Sequence, residues 1–324
     1  MNVALIGSNF ALKGYFPVIN KIKNLKLKIL CSRNILHISK NIKNTNGILF
    51  ENNWKNVFKK NIDLIILAVP PVVQDKILRY NFKFKKKVIF EKPITQNFNR
   101  SKNIIKNLKE KKIKSDINLT FLNHDLFKQI RDIIKKKKLG SVINYKILWN
   151  FKSYDLFNKI KSWKTDESQG GGIKNIFLTH VFSYCEFFFG KNKIIKYKFN
   201  TYNFKSIKYK KIINCKLVNK DGTIGEILLH TKKSGKQKHK ITIKFENGEI
   251  QLFTKSKDWT KDFVLKIRNN KSRKQKIFKQ KNINKFTDGR SNQIFVMLKN
   301  FIKKSNFSNI NYCLNAEKMN KIIN

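Results

Sequence analysis

A lysine held between a glutamate and a proline, Glu91-Lys92-Pro93, follows directly on the apolar run Val88 to Phe90. An ammonium at the end of such a run can stabilise charge developing on an oxygen and depress the pKa of a neighbouring base. Pro93 restricts the backbone from which that lysine projects. Lys92 is also one lysine among a great many. Farther along, the glycine run Gly170-Gly171-Gly172 precedes His180, and a histidine can serve as general acid or base near neutral pH. A third segment opens the chain. The apolar run Val3 to Ile6 enters Gly7-Ser8-Asn9-Phe10-Ala11-Leu12-Lys13-Gly14, where a strand, a tight turn and a helix N-terminus would turn backbone N–H groups and partial positive charge toward a pyrophosphate. Gly7 takes the first glycine position of the dinucleotide fingerprint, but Asn9 and Leu12 stand in place of the second and third. A plain buried strand-to-helix turn reads equally well from these residues. After the second apolar run, Ser32-Arg33 occupies the place where a carboxylate would bind the ribose 2′-OH of NAD. An arginine there suits a 2′-phosphate and favours NADP, or is a further surface cation.

These residues need elements to position them. Up to about residue 120, short apolar runs alternate with helix-like stretches: Val3 to Ile6, Leu25 to Cys31, Gly47 to Phe50, Asp63 to Val69, Val88 to Phe90 and Ile117 to Leu119. That alternation predicts an α/β Rossmann domain over 1–120, a doubly wound parallel sheet covered on both faces. Phe127 to Lys138 is amphipathic at helical spacing and stops before Gly140. Beyond Ser141 the period changes to two, in Val142 to Phe151, Ile194 to Tyr202, Lys211 to Val218 and Thr223 to His230. Lys240 to Phe245 and Glu249 to Phe253 flank Asn247-Gly248, a tight hairpin turn. Residues 121–310 are therefore expected to form an α+β domain on a large open, mainly antiparallel sheet. A final helix, Tyr312 to Ile323 within 311–324, is expected to return to the first domain.

Several longer stretches carry a resemblance. Asp63 to Gln74 reads DLIILAVPPVVQ and Val88 to Pro93 reads VIFEKP; GSNFALKGYFP (7–17), INLTFLNHDLF (117–127), SWK (162–164) and QGGGIKNIFLTHVFSYCEFFFG (169–190) complete the set. Together they resemble the glucose-fructose oxidoreductase, inositol dehydrogenase and MocA family (Gfo/Idh/MocA) over essentially the whole chain. The resemblance implies a nicotinamide-cofactor site, which Ser32-Arg33 inclines to NADP in preference to NAD, made by Gly7, Ser8, Asn9, Phe10, Ala11, Ser32, Arg33, Ala68, Val69, Pro70, Gln74, Glu91, Lys92, Asn118 and Trp163. It implies that Lys92 contacts both the nicotinamide ribose and the substrate hydroxyl, that His180 lies on a helix facing the cofactor, and that Asn118, His124 and Trp163-Lys164 lie nearby. The implied reaction is hydride transfer between nicotinamide and a hydroxyl or carbonyl carbon of a sugar, cyclitol or nucleotide-linked sugar. In it Lys92 polarises the oxygen and His180 moves the proton. The chain departs from the family at Ile176, where many members carry an aspartate four residues before the histidine, and at Ser183, where an aspartate often follows. With Asn9 and Leu12, these departures motivate the alternative of a cofactor-binding sensor or assembly protein whose catalysis is altered. Family members commonly pair through the open sheet, here through parts of Val142 to Phe151 and Thr223 to His230, as homodimers or homotetramers.

The chain has 324 residues, 41% of them hydrophobic, with a net charge of +51. The charge is mostly lysine, spread through nearly every segment and accompanied by abundant Asn, Ile and Phe, the set that AT-rich coding produces. It does not form the basic stripe with interleaved aromatics of a nucleic-acid binder. No signal segment opens the sequence and no apolar run nears the ~20 residues of a membrane span, so the expectation is a cytoplasmic protein. Cys31, Cys185, Cys215 and Cys313 lack any paired spacing, and neither a disulfide framework nor a metal site is expected.

Overall fold

The computed structural model describes residues 1–35, 47–158, 160–204, 207–231, 237–281, 286–303 and 308–323. The chain divides into two compact units, Met1–Leu119 with Asn284–Leu314, and Thr120–Ile283 with Asn315–Asn324.

The first unit is built on a six-stranded parallel sheet. Its strands are β1 (Asn2–Gly7), β2 (Lys26–Cys31), β3 (Leu49–Glu51), β4 (Leu64–Ala68), β5 (Lys87–Phe90) and β6 (Ser115–Ile117), in the order β3-β2-β1-β4-β5-β6. Strands β1, β4 and β5 are almost continuously apolar and buried, as a sheet covered on both faces requires. The crossover helices include α1 (Pro71–Phe84) and α2 (Phe98–Glu110). One covering helix comes from the far end of the chain. Helix α3 (Arg290–Lys303) buries Ile294, Met297, Leu298 and Phe301 in the same core as Tyr15, Val18 and Ile19. By its contacts helix α3 groups with the first unit.

The second unit carries an eight-stranded sheet, β7 to β14, with β8 (Asn192–Phe204) and β9 (Ile207–Asn219) at one edge and the order β14-β13-β12-β11-β7-β10-β9-β8. Its central strands are β7 (Val142–Phe151), β10 (Ile224–Thr231), β11 (Lys238–Phe245) and β12 (Gly248–Thr254). β7 and β10 run parallel, and the remaining neighbours are antiparallel. Alternating burial in β10, β11 and β12 puts one face into the core, the pattern of a sheet solvated on one side. Asn247 lies in the turn between β11 and β12, with Gly248 pairing with Phe245. Strands β13 (Val264–Asn269) and β14 (Gln275–Lys279) extend one edge. The expected Phe127 to Lys138 helix spans Asp125–Lys135, and the helix carrying the glycine-run histidine spans Thr179–Phe189. The last helix, Ser308–Ile322, begins in the first unit and ends in the second.

Candidate active site

In the first unit all six strands are parallel, so their carboxyl ends line one edge, where open α/β sheets bind ligands. Gly7, Ser32, Ala68, Glu91 and Asn118 all end or directly follow strands along this edge. Gly7 pairs with Ala68 at φ +144°, and a Cβ there would lie 2.3 Å from the Ala68 carbonyl oxygen. Only glycine allows the two strands to close at that point. The chain then turns straight into a helix. Leu12 N–H bonds to the Ser8 carbonyl at 2.9 Å, and 11–15 is wound as a π-helix. Asn9 is exposed and does not adopt positive φ, so the turn passes straight into the helical start without a second glycine-like residue. N–H groups of a first helical turn have no intrahelical partner, which suits them to an anion. Ala11 is buried beneath Gly7, while Ser8 and Phe10 are partly exposed. At the end of β2, Arg33 is exposed and Ser32 Oγ accepts from Asn34 N–H at 3.3 Å.

Glu91, Lys92 and Pro93 are held in place from beneath. Gln74, on α1, is fully buried; its amide nitrogen donates to the carbonyls of Glu91 (2.6 Å), Pro93 (3.1 Å) and Ile94 (2.9 Å), and its oxygen accepts from Glu91 N–H at 3.0 Å. Gln74 therefore anchors the motif from within the fold. The Lys92–Pro93 bond is cis. Glu91 Oε1 accepts from Tyr15 Oη at 2.5 Å and from Asn118 Nδ2 at 2.9 Å. Withdrawal from water pushes the Glu91 carboxyl above its usual range against the opposing pull of Tyr15, Asn118, Lys92 and Arg290. Burial, then the Glu91 charge, holds the Tyr15 phenol well above its ordinary value. Sequence reasoning passed over Tyr15, because a tyrosine among apolar helix residues carries no pattern of its own.

Asn118 supplies a test of whether this edge suits a nucleotide. Its Oδ1 is buried and has no hydrogen-bond partner among the described residues. A buried acceptor left unpaired is costly, and a donor on a bound cofactor would satisfy it. The residues fit the group. Glu91, Lys92, Asn118 and the helical start at Ser8 would hold it.

In the second unit, Gly171 lets two segments meet, since a Cβ there would fall 2.0 Å from the Trp163 carbonyl oxygen. Trp163-Lys164 is thereby packed on the glycine run that leads to His180. Ile176 lies in a π-wound turn, 174–178, the kind of distortion that would allow Asn175 to stand in for the missing aspartate. The Asn175 amide instead donates to the Gly171 carbonyl at 2.9 Å, and Ser183 Oγ donates back to Thr179 O at 2.7 Å. Both polar groups thus serve the local helix. His180 is 3% exposed and meets the ring of Phe121 edge-on, centroids 5.3 Å apart. His124 caps the Asp125–Lys135 helix, its Nδ1 accepting from Leu126 N–H at 3.2 Å.

A further histidine escaped the sequence reading. His239, an inward position of β11, stacks on Trp149 with centroids 4.4 Å apart and meets Tyr184 Oη at 3.1 Å. Burial, with a smaller contribution from His124, depresses its pKa from 6.5 to about 3. The unfolded chain therefore binds a proton between those values that the folded chain refuses, so this contribution to stability is complete above pH ~6.5 and shrinks as pH falls. Urea unfolding at pH 7 and pH 5 should differ by about 2 kcal/mol more for the parent chain than for His239→Gln.

This chain belongs to an oxidoreductase family: the family model described as having an NAD-binding Rossmann fold matches residues 1–118, and the model of the family's C-terminal α/β domain, Gfo/Idh/MocA, matches 131–312. Among individual proteins, an uncharacterised oxidoreductase of Schizosaccharomyces pombe is 26% identical over 130 residues, covering 40% of this chain. The match spans about a third of that relative, 35% of its length. Levoglucosan dehydrogenase, solved with NADH and levoglucosan, superposes with a TM-score of 0.83 at 14% identity, covering 100% of this chain and 96% of that one. A 3-ketoreductase from Actinomadura kijaniata, solved with NADP and TDP-benzene, gives 0.80 at 13% identity over 99% and 96% of the two chains. An oxidoreductase from Agrobacterium radiobacter, solved with NAD+, L-tartaric acid and magnesium, gives 0.81 at 13% identity over 99% and 94%. At these identities the structural likenesses establish the fold. Among the described residues no helix is long and apolar enough to cross a membrane.

Proposed function

We propose that the chain is a dehydrogenase or reductase that moves a hydride between a nicotinamide cofactor, NADP in preference to NAD, and a hydroxyl or carbonyl carbon of a sugar, cyclitol or nucleotide-linked sugar. The observation that carries this reading is the fixed Glu91-Lys92-Pro93 segment at the carboxyl edge of a parallel sheet, clamped by Gln74 and bonded through Glu91 to Tyr15 and Asn118. The bound nicotinamide supplies the hydride donor or acceptor. Lys92 binds and polarises the substrate oxygen, stabilising alkoxide character as it develops. His180 takes up or returns the hydroxyl proton. Exposed Arg33 at the end of β2 supports the choice of NADP, because its guanidinium matches a 2′-phosphate.

Calorimetric titration with NADPH, NADH and ADP at two salt concentrations tests the cofactor half of the proposal. NADPH should bind at micromolar concentration, more tightly than ADP, and withstand added salt. Binding that vanishes with salt would mean that the lysine-rich surface alone draws phosphates. A panel of sugars and cyclitols, followed by nicotinamide absorbance, tests the other half. Tight binding with no turnover on any of them would favour the sensor reading.

The open face of the second unit's sheet is proposed as a homo-oligomer contact. Ile224, exposed at 47%, lies in the outward register of β10, paired with Asn144 of β7 and with Val218 on its other side. Light scattering should give a dimeric or tetrameric mass, and Ile224→Glu should lower it.

A further inference from the structure

We infer that Arg290, contributed by the start of helix α3, is a ligand for the pyrophosphate of the cofactor. The inference rests on the nucleotide reading of the sheet edge. The Arg290 guanidinium lies over the ring of Phe10, 4.0 Å from its centroid, and Phe10 sits in the first turn of the helix that follows Gly7. That ring is itself fixed. A Cβ on Gly14 would come within 2.5 Å of it, so the ring rests directly on the helix backbone, and Tyr15 meets it edge-on with centroids 5.6 Å apart.

The arginine is fixed from its own side as well. Asp288 accepts two bonds from it, Nε at 2.9 Å and Nη2 at 2.6 Å, and the neighbouring Ser291 Oγ donates to the carbonyls of Gly14 at 3.0 Å and Lys13 at 3.4 Å. Asp288 is 13% exposed while the Arg290 side chain keeps 34%, so the carboxylate lies deeper than the cation it orients. The charge also reaches Glu91, whose ionised form it favours. Arg290 thus sits against the nucleotide turn and is linked to the Glu-Lys-Pro motif through Phe10 and Tyr15, whose hydroxyl donates to Glu91. A dinucleotide laid from one to the other carries its two phosphates between them. A guanidinium is always charged and presents a planar fork that matches phosphate oxygens, and a stacked, pre-oriented one loses little freedom on binding. It also answers a local deficit. With Asn9 and Leu12 in place of two glycines, this turn offers the pyrophosphate less close backbone approach, and a fixed cation compensates.

Calorimetry with ADP-ribose, which contains the pyrophosphate, and with adenosine 2′-monophosphate, which has neither of its phosphates, separates this role from a general one. Arg290→Gln should weaken ADP-ribose and NADPH about tenfold or more and leave adenosine 2′-monophosphate unchanged. Arg290→Lys should recover only part of the loss, and Phe10→Leu, which removes the platform but no charge, should show the same ligand pattern more weakly. Equal weakening of all the ligands would mean that Arg290 merely supports the fold, and unchanged affinities would also overturn the inference. If the parent chain binds neither fragment, the nucleotide reading fails, and this inference fails with it.

Discussion

Replacing Lys92 with alanine is expected to lower turnover about a thousandfold while changing NADPH affinity only a few-fold. An ammonium that meets the substrate oxygen counts mainly as charge develops there, so its loss falls on kcat. The surroundings of Lys92 should survive the change. Gln74 holds the backbone of 91–94, and Tyr15 and Asn118 hold Glu91. His180→Ala should cost turnover about a hundredfold, the usual share of a general acid or base. Rapid-mixing kinetics beside calorimetry reads both quantities. If either variant loses cofactor affinity as much as turnover, the proposed division of labour is wrong.

Gly7→Ala should destabilise the first unit by roughly 3–5 kcal/mol and abolish cofactor binding under ordinary conditions. Two costs add here: a side chain at φ +144° is strained, and its Cβ would meet the Ala68 carbonyl oxygen at 2.3 Å. A backbone oxygen in the last pair of a parallel ladder cannot step aside as a flexible side chain can. Urea unfolding measures the first effect, and NADPH titration the second. A variant of normal stability that still bound NADPH would show that the β1–β4 closure is not what makes the turn.

Much of this architecture is legible in the amino-acid sequence, and the reason is periodicity. Uninterrupted apolar runs marked β1, β4 and β5, alternation marked β7 and β10, and the Asn247-Gly248 turn marked β11 and β12, because burial on two faces or one dictates the first two patterns and tight-turn chemistry the third. Where burial is slight the signal fades. β14 has a largely exposed pattern and β13 a mixed one, and neither was anticipated. Helix α3 was missed for the opposite reason: Ile294 to Leu298 is a continuous apolar run that fits helix and strand alike. At the site, local motifs were readable and tertiary partners were not. Lys92 and His180 announce themselves through their neighbours, whereas Tyr15, Arg290 and His239 acquire meaning only from residues far away in the chain. Gln74 was expected to face the cofactor, and its burial beneath Glu91-Lys92-Pro93 is invisible to any reading of spacing.

The late arrival of helix α3 has a consequence for synthesis. Ile294, Met297, Leu298 and Phe301 cover Tyr15, Val18 and Ile19 in the core of the first unit, yet they leave the ribosome after the whole second unit's sheet has been made. A nascent chain carrying only 1–119 must therefore wait with that apolar surface exposed, while the intervening strands assemble from contacts nearer in sequence. Residues 1–119, though translated before the second unit, are thus among the last to acquire their native packing.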